Sequence, residues 1–288
     1  MVKALFISKN LVGDALNISP AWRAWWASNE ARGCSVELLT NRDQIAELYT
    51  AMDVPAKVLT SVAESELLSS NQYHFVFNFD VSAAFHCGIR ERIHIAEAYA
   101  RMLGVAIDSV KPTCELDAAP YSGSDIEPGC ILVSPFSASC SSRAGGPPNK
   151  MLPFAKWLPI LDYLKTLNRA IYVLGSSNDL QVPEFGIPRI AFLLGTHSLL
   201  QVARIMRDRA SLLVTLDNGV AHLGASQEVP TIQFYPACLP MSWIFPRGNP
   251  HCYAMQLDPA LCDPTEVLLW VQQMVPRLLR LKTISASH

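Results

Sequence analysis

Leu212-Leu213-Val214-Thr215-Leu216-Asp217-Asn218-Gly219-Val220-Ala221-His222-Leu223 decides how this chain is read. An apolar run passes into a short polar corner, and a helix-compatible segment of small residues follows. A strand that is apolar on both faces belongs in a buried parallel sheet, and open parallel sheets take their ligands at the carboxyl ends of their strands. The next helix would aim its first N–H groups, and the positive end of its dipole, at the same place. Asp217 or Asn218 can cap that helix, Gly219 lets a ligand approach the backbone, and His222 adds a titratable ring about one turn on. Those are the makings of a phosphate site. They are equally those of an ordinary capped strand-to-helix turn, and both readings stand here.

Outward from this corner the pattern repeats. Ile131–Phe136, Ala170–Leu174 and Thr231–Tyr235 read as further strands, with helices near Leu152–Leu167 and Ser198–Met206; Ser198 with Gln201 forms a capping-box pattern. In the first part Ala4–Ser8, Val36–Thr40 and Phe75–Phe79 are strands. Ile18–Ser28 is a helix with Pro20 at its start and Gly33 past its end, and His94–Leu103 is another. The Pro-, Ser-, Gly- and Asp-rich stretch from Asp108 to Gly129 is the linker. The expectation is α/β: two Rossmann-like, doubly wound domains, 1–120 and 121–288, facing each other across a ligand cleft, with a final helix at 264–281 packing back across the junction.

Composition excludes several classes. Half of the 288 residues are apolar and 17% are charged, against roughly 25% charged in ordinary globular domains. A net charge of −2 gives no overall attraction to nucleic acid or to an anionic membrane. No uncharged apolar stretch approaches the ~20 residues of a membrane span. Lys9 and Asp14 interrupt what would be a signal peptide's apolar region. The eight cysteines (Cys34, Cys87, Cys114, Cys130, Cys140, Cys238, Cys252 and Cys262) form no CxxC pair and no zinc spacing. A cytoplasmic protein with reduced thiols and no metal is expected.

Three further constellations bear on chemistry. After the first strand, Gly13 permits a tight turn and Asp14 stands at a helix amino terminus, as an N-cap or as a carboxylate able to take a proton from a hydroxyl. The loop Ser137 to Lys150 carries small hydroxyls, two glycines, Arg143 and Lys150. It is a solvated loop or a cradle for a diphosphate, though not a P-loop, since GxxxxGK[ST] is absent. After another apolar strand, Gly175-Ser176-Ser177-Asn178-Asp179 offers Asp179 as a ribose ligand or as a cap. Basic clusters at Arg90–Arg92, Arg204–Arg209 and Arg277–Lys282 are solvated faces or a nucleic-acid contact. Trp22, Trp25 and Trp26 pack in a core or stack a sugar or base.

Together these pieces resemble a known family. Val12-Gly13-Asp14-Ala15-Leu16 with Ser19-Pro20-Ala21-Trp22-Arg23-Ala24 resembles the GD-x-L…P-A-x-R-A signature of heptosyltransferase-type glycosyltransferases, family 9 of the GT-B class. Lys150, with Pro153 and Trp157, is similar to the family's Lys-x-Trp-Pro segment. Leu194-Gly195-Thr196, Leu199, Asp217-Asn218-Gly219-Val220-Ala221-His222-Leu223-Gly224-Ala225 and Pro230 are similar to its G-x-x-S-L…D-S/T-G-x-x-H-L-A-A…P core. Asn218 stands where the family usually has Ser or Thr, and no Trp follows Lys150 by two residues.

The resemblance implies an inverting, metal-independent transfer of a sugar from a nucleotide-sugar donor to an acceptor hydroxyl, with no cofactor. Asp14 would be the general base and Lys150 would neutralise the leaving diphosphate. Asp217, Asn218, Gly219 and His222 would bind the diphosphate through the helix amino terminus, and Asp179 would reach the ribose. Gly13, Ser137, Arg143 and Gly175 complete the expected site. The acceptor is a saccharide, a glycolipid such as the lipopolysaccharide inner core, or a modified nucleobase of DNA. A non-catalytic nucleotide-sugar-binding protein on the same fold is the alternative from another class.

Overall fold

The computed structural model describes residues 2–9, 11–28, 33–52, 54–137, 151–177, 179 and 189–285. They form two compact units, Met1–Asp117 with Ser242–Gly248, and Ala118–Met241 with Asn249–His288.

In the first unit, β1 (Val2–Ile7), β2 (Cys34–Leu39), β3 (Ala56–Leu59) and β4 (Phe75–Asn78) make a parallel sheet of order β3-β2-β1-β4. Its helices are α1 (Val12–Ala27), α2 (Asp43–Thr50), α3 (Glu64–Ser69), α4 (Val81–Glu91) and α5 (Ile95–Met102). Phe6, near the carboxyl end of β1, gathers the core: its ring centroid lies 5.9 Å from Trp22, 4.8 Å from Trp25, 4.9 Å from Phe77 and 5.2 Å from Phe79. Trp22 and Trp25 are therefore core residues, while Trp26 is half-buried.

Helix α1 corrects the sequence reading. It starts at Val12, not Ile18, and Pro20 lies inside it. A proline in a helix interior removes one N–H, here the donor that would reach the Leu16 carbonyl. The hydroxyl of Ser19 donates to that carbonyl instead, at 2.6 Å, and itself accepts from the Thr113 N–H at 2.8 Å. The neighbouring serine thus offsets the defect, and the helix runs through.

In the second unit, β5 (Cys130–Ser134), β6 (Ile171–Gly175), β7 (Ile190–Leu194), β8 (Ala210–Leu216), β9 (Thr231–Pro236) and β10 (Cys252–Leu257) form a parallel sheet of order β10-β9-β8-β5-β6-β7. The helices are α6 (Phe154–Lys165), α7 (Leu199–Asp208), α8 (Gly219–Ser226), α9 (Met241–Ile244, in the segment grouped with the first unit) and α10 (Pro264–Ser285). Ser198 caps α7 with the expected capping box to Gln201. Strands β5 and β8 are buried along their whole length, which is why they read as unbroken apolar runs. Ile131, Val133, Trp157, Val214, Phe234 and Val271 share one core cluster.

The unit boundary at Asp117 lies a few residues from the 120/121 boundary read from sequence, but the second unit is interrupted by Ser242–Gly248, which groups with the first. Helix α10 packs on α6, β8 and β9 of its own unit. Among the described residues, no helix is long and apolar enough to cross a membrane.

Candidate functional site

Both sheets reverse their winding between adjacent strands, β1 and β4 in the first unit and β5 and β8 in the second. A doubly wound sheet opens a crevice at such a point, outside the carboxyl ends of the two strands. Asp217, Asn218 and Gly219 follow β8, and Ser137 lies in the segment after β5, so the sheet order brings them to one crevice. Gly13 and Asp14 follow β1 at the corresponding point of the first unit.

Asn218 organises the second unit's crevice. It is the N-cap of α8: its Oδ1 accepts from the Ala221 N–H at 3.1 Å and from Thr215 Oγ1 at 3.2 Å. Its Nδ2 donates to Ser134 Oγ at 3.0 Å and to the Phe136 carbonyl at 2.8 Å. One amide therefore caps the helix and ties it to the chain leaving β5. Serine or threonine, with a single hydrogen to donate, could not make both of the Nδ2 bonds. Asn218, rather than Asp217, is the cap, and its side chain acts by shaping the corner. Helix geometry leaves the N–H groups of Gly219 and Val220 without an intrahelical partner at this end.

Behind the corner the site is closed. Asp217 is 3% exposed and His222 2% exposed. Gly224 lets α8 lie close to β8, since a Cβ there would come within 2.6 Å of Leu213 Cδ2. Gln233, fully buried on β9, donates from Nε2 to Asp217 Oδ1 at 3.5 Å. Sequence reasoning passed over this residue. Its signal was a lone amide inside the apolar strand Thr231–Tyr235.

Other expected members of the second unit's site have structural duties of their own. A Cβ at Gly175 would meet Leu194 Cδ2 at 2.5 Å and Phe136 Cδ2 at 2.9 Å, so this glycine serves close packing. Asp179 Oδ2 accepts from the N–H of Ser176 at 2.7 Å and from its hydroxyl at 2.8 Å, closing its own turn. Ser137 is 8% exposed. Arg143 and Lys150 lie outside the described residues.

In the first unit, Leu11 occupies the N-cap position of α1 and makes no side-chain cap, which places Asp14 inside the first turn. Asp14 is thus not the N-cap. It is half-buried beside two buried phenols. Burial pushes Tyr49 and Tyr99 well above the ordinary phenol range, and the Asp14 charge pushes both further. Tyr49 donates its hydroxyl to Ser8 Oγ at 2.5 Å.

Two of the basic clusters have partners within the protein. Arg207 bonds Asp208 and the Ala119 carbonyl, and Arg209 bonds the Tyr121 carbonyl, all pinning the segment that opens the second unit. Arg90 and Arg101 both pair with Glu91.

A sequence model of glycosyltransferase family 9 (heptosyltransferase) matches residues 79–248, a span that contains α4, the whole β8 corner and Gln233. The chain belongs to glycosyltransferase family 9. It is a heptosyltransferase-like glycosyltransferase with the α/β fold of the GT-B class. Among solved structures, the family 9 chain is similar to ADP-heptose lipopolysaccharide heptosyltransferase II of E. coli, with a TM-score of 0.72 at 14% identity over 98% of this chain and 100% of that one. It is similar to a family 9 glycosyl transferase of Veillonella parvula, at 0.69 and 14% over 96% and 97%. It is also similar to the E. coli heptosyltransferase WaaC with ADP, at 0.65 and 12% over 95% and 100%. At such identities the likeness is one of fold. No match was found among curated proteins.

Proposed function

We propose that this family 9 chain transfers a sugar from a nucleoside-diphosphate donor, ADP-linked as in the names of its structural relatives, to an acceptor hydroxyl, with inversion and without a metal. The observation that carries the reading is the Asn218-capped end of α8 at the β5/β8 reversal. It offers backbone N–H groups and a helix dipole to a diphosphate.

In the proposed reaction the acceptor oxygen attacks the anomeric carbon from the face opposite the diphosphate. The carbon–oxygen bond to the diphosphate breaks, and Asp14 takes the hydroxyl proton. The nucleoside diphosphate leaves with the bonding pair. Its growing charge is met by the backbone N–H groups of the turn that follows Asp217, by His222, and by Lys150 with Arg143. Asp179, at the end of β6 next to β5, serves the ribose. Metal independence is supported by the sequence, which contains no Asp-x-Asp pair, and by the charge that a helix end and a lysine supply. A saccharide or glycolipid acceptor is favoured over a nucleobase because Arg207 and Arg209 are engaged within the protein. A cytoplasmic place fits the cysteines, none of which is in a disulfide among the described residues.

The test is a thermal-shift screen with ADP, UDP, GDP and TDP and their sugars, in excess EDTA and again with Mg²⁺. A ligand at 100 times its Kd stabilises the native state by about 2.7 kcal/mol. ADP should raise the melting temperature in EDTA, and a screened ADP-sugar should then be turned over in EDTA once an acceptor is added. Binding without turnover for any acceptor class would leave a non-catalytic nucleotide-sugar-binding protein. Binding only with Mg²⁺ would overturn the metal-independent reading.

A further inference from the structure

We infer that Gln233 is a positioning residue of the donor site: its buried amide draws the Asp217 carboxylate into the sheet and away from the anion-binding end of α8. This rests on the donor-site reading above.

Gln233 sits on β9 opposite Thr215 of β8 and Ala254 of β10, between Ile232 and Phe234 of the apolar core. An apolar side chain there would need no partner, whereas a buried amide is costly unless it is hydrogen-bonded. Its partners lie on either side. Cys252 Sγ on β10 donates to Oε1 at 3.8 Å, and Nε2 donates to Asp217 Oδ1 at 3.5 Å. The order cannot be reversed, because a carboxylate only accepts. Burial pushes the Cys252 thiol up to about 12, so it keeps its proton at neutral pH and serves as a donor. The carboxylate therefore fixes which way the amide faces, and the thiol supports that orientation from the other side.

The need for this device follows from charge. Asp217 immediately precedes the cap of a helix end that is to receive a diphosphate. A carboxylate turned outward there would repel the ligand that the dipole attracts. Held by Gln233, it leaves the N–H groups of Gly219 and Val220 as the face that the anion meets.

The experiment measures ADP binding by calorimetry at low and high salt, with circular dichroism to confirm folding. Gln233→Leu should weaken ADP by about tenfold, the scale of a lost hydrogen bond to a charged group. The loss should shrink at high salt, as charge repulsion does. Gln233→His, with an N–H of similar reach, should bind within about threefold of wild type, and adding Asp217→Asn to Gln233→Leu should recover most of the affinity. Were Gln233→Leu to misfold, Gln233→Asn, whose shorter amide falls short of Asp217, should lower affinity with the same salt dependence. Wild-type ADP affinity in Gln233→Leu or in Gln233→Asn overturns the inference and leaves the donor site standing. So does a loss that neither salt nor Asp217→Asn relieves. A wild-type chain that binds none of the four nucleoside diphosphates overturns the donor-site reading, and this inference with it.

Discussion

At the scale of single residues the proposed chemistry rests on Asp14 and Asn218, and they were legible to different degrees. The sequence left Asp14 open between cap and base. Leu11 at the cap position removes the first alternative, and the buried Tyr49 and Tyr99 beside the carboxylate show an environment unlike an exposed cap. Asp14→Asn should lower sugar transfer by about 10²–10⁴-fold, the usual loss for a general base, with ADP affinity within about threefold by calorimetry. Unchanged turnover would return Asp14 to a structural role. Asn218 was visible as a departure from Ser or Thr, but its reason needed Ser134 and Phe136, which lie more than eighty positions away. No local pattern encodes such a bond. Asn218→Ala should cost about 0.5–2 kcal/mol as a lost cap, read in a urea melt, and it should weaken ADP. Asn218→Ser should regain the cap but not the bond to the Phe136 carbonyl.

At the scale of elements, the central strands were plain and the peripheral ones were not. β5 and β8 are buried throughout and read as continuous apolar runs. β7 and β10 lie at the sheet edges with mixed exposure, and their patterns blur into loop. β3, with four residues, and α3, with six, are too short to show a period. The start of α1 was misread because Pro20 announces a helix beginning by a sound rule, while its remedy, the Ser19 hydroxyl, is invisible to that rule. Ser19→Ala would leave both the Leu16 carbonyl and the Thr113 N–H without this partner. A loss of about 1–3 kcal/mol, the cost of a buried polar group left unsatisfied, should appear in urea unfolding followed by tryptophan fluorescence. An unchanged midpoint would mean that the helix tolerates its proline unaided.

At the scale of the whole molecule, titration bounds the stable range on both sides. Hydrogen bonding from Tyr121 holds Asp125 below the usual carboxylate value, and Arg207 does the same for Asp208. A carboxyl with a lowered folded pKa binds fewer protons folded than unfolded, so its stabilisation is present above the unfolded value of 3.8 and fades as pH falls through the lower folded ones. On the other side, burial raises the Cys114 thiol to about 11 and Cys252 to about 12 from 9.0. Stability from these groups is complete below 9.0 and is lost as pH climbs toward the folded values. Melting temperature against pH should therefore form a plateau from about pH 4 to 9 and fall on both sides. A curve still rising at pH 10 would contradict the thiol assignment.

The short return segment Ser242–Gly248 has a consequence for anyone who would take the chain apart. Trp243 fills the hollow over Gly88, where even a Cβ would stand 2.4 Å from its Nε1. His94 spends Nδ1 on capping α5, so Nε2 carries the hydrogen that reaches the Phe245 carbonyl at 3.1 Å. The polypeptide passes from one unit to the other three times, and no single cut yields two whole pieces. A fragment ending at Asp117 would lack its own keystone, with Gly88 opened to water and His94 left reaching for nothing. The half-proteins would have to be spliced, with 242–248 grafted onto the first and the gap in the second closed by a linker, before either could be weighed alone.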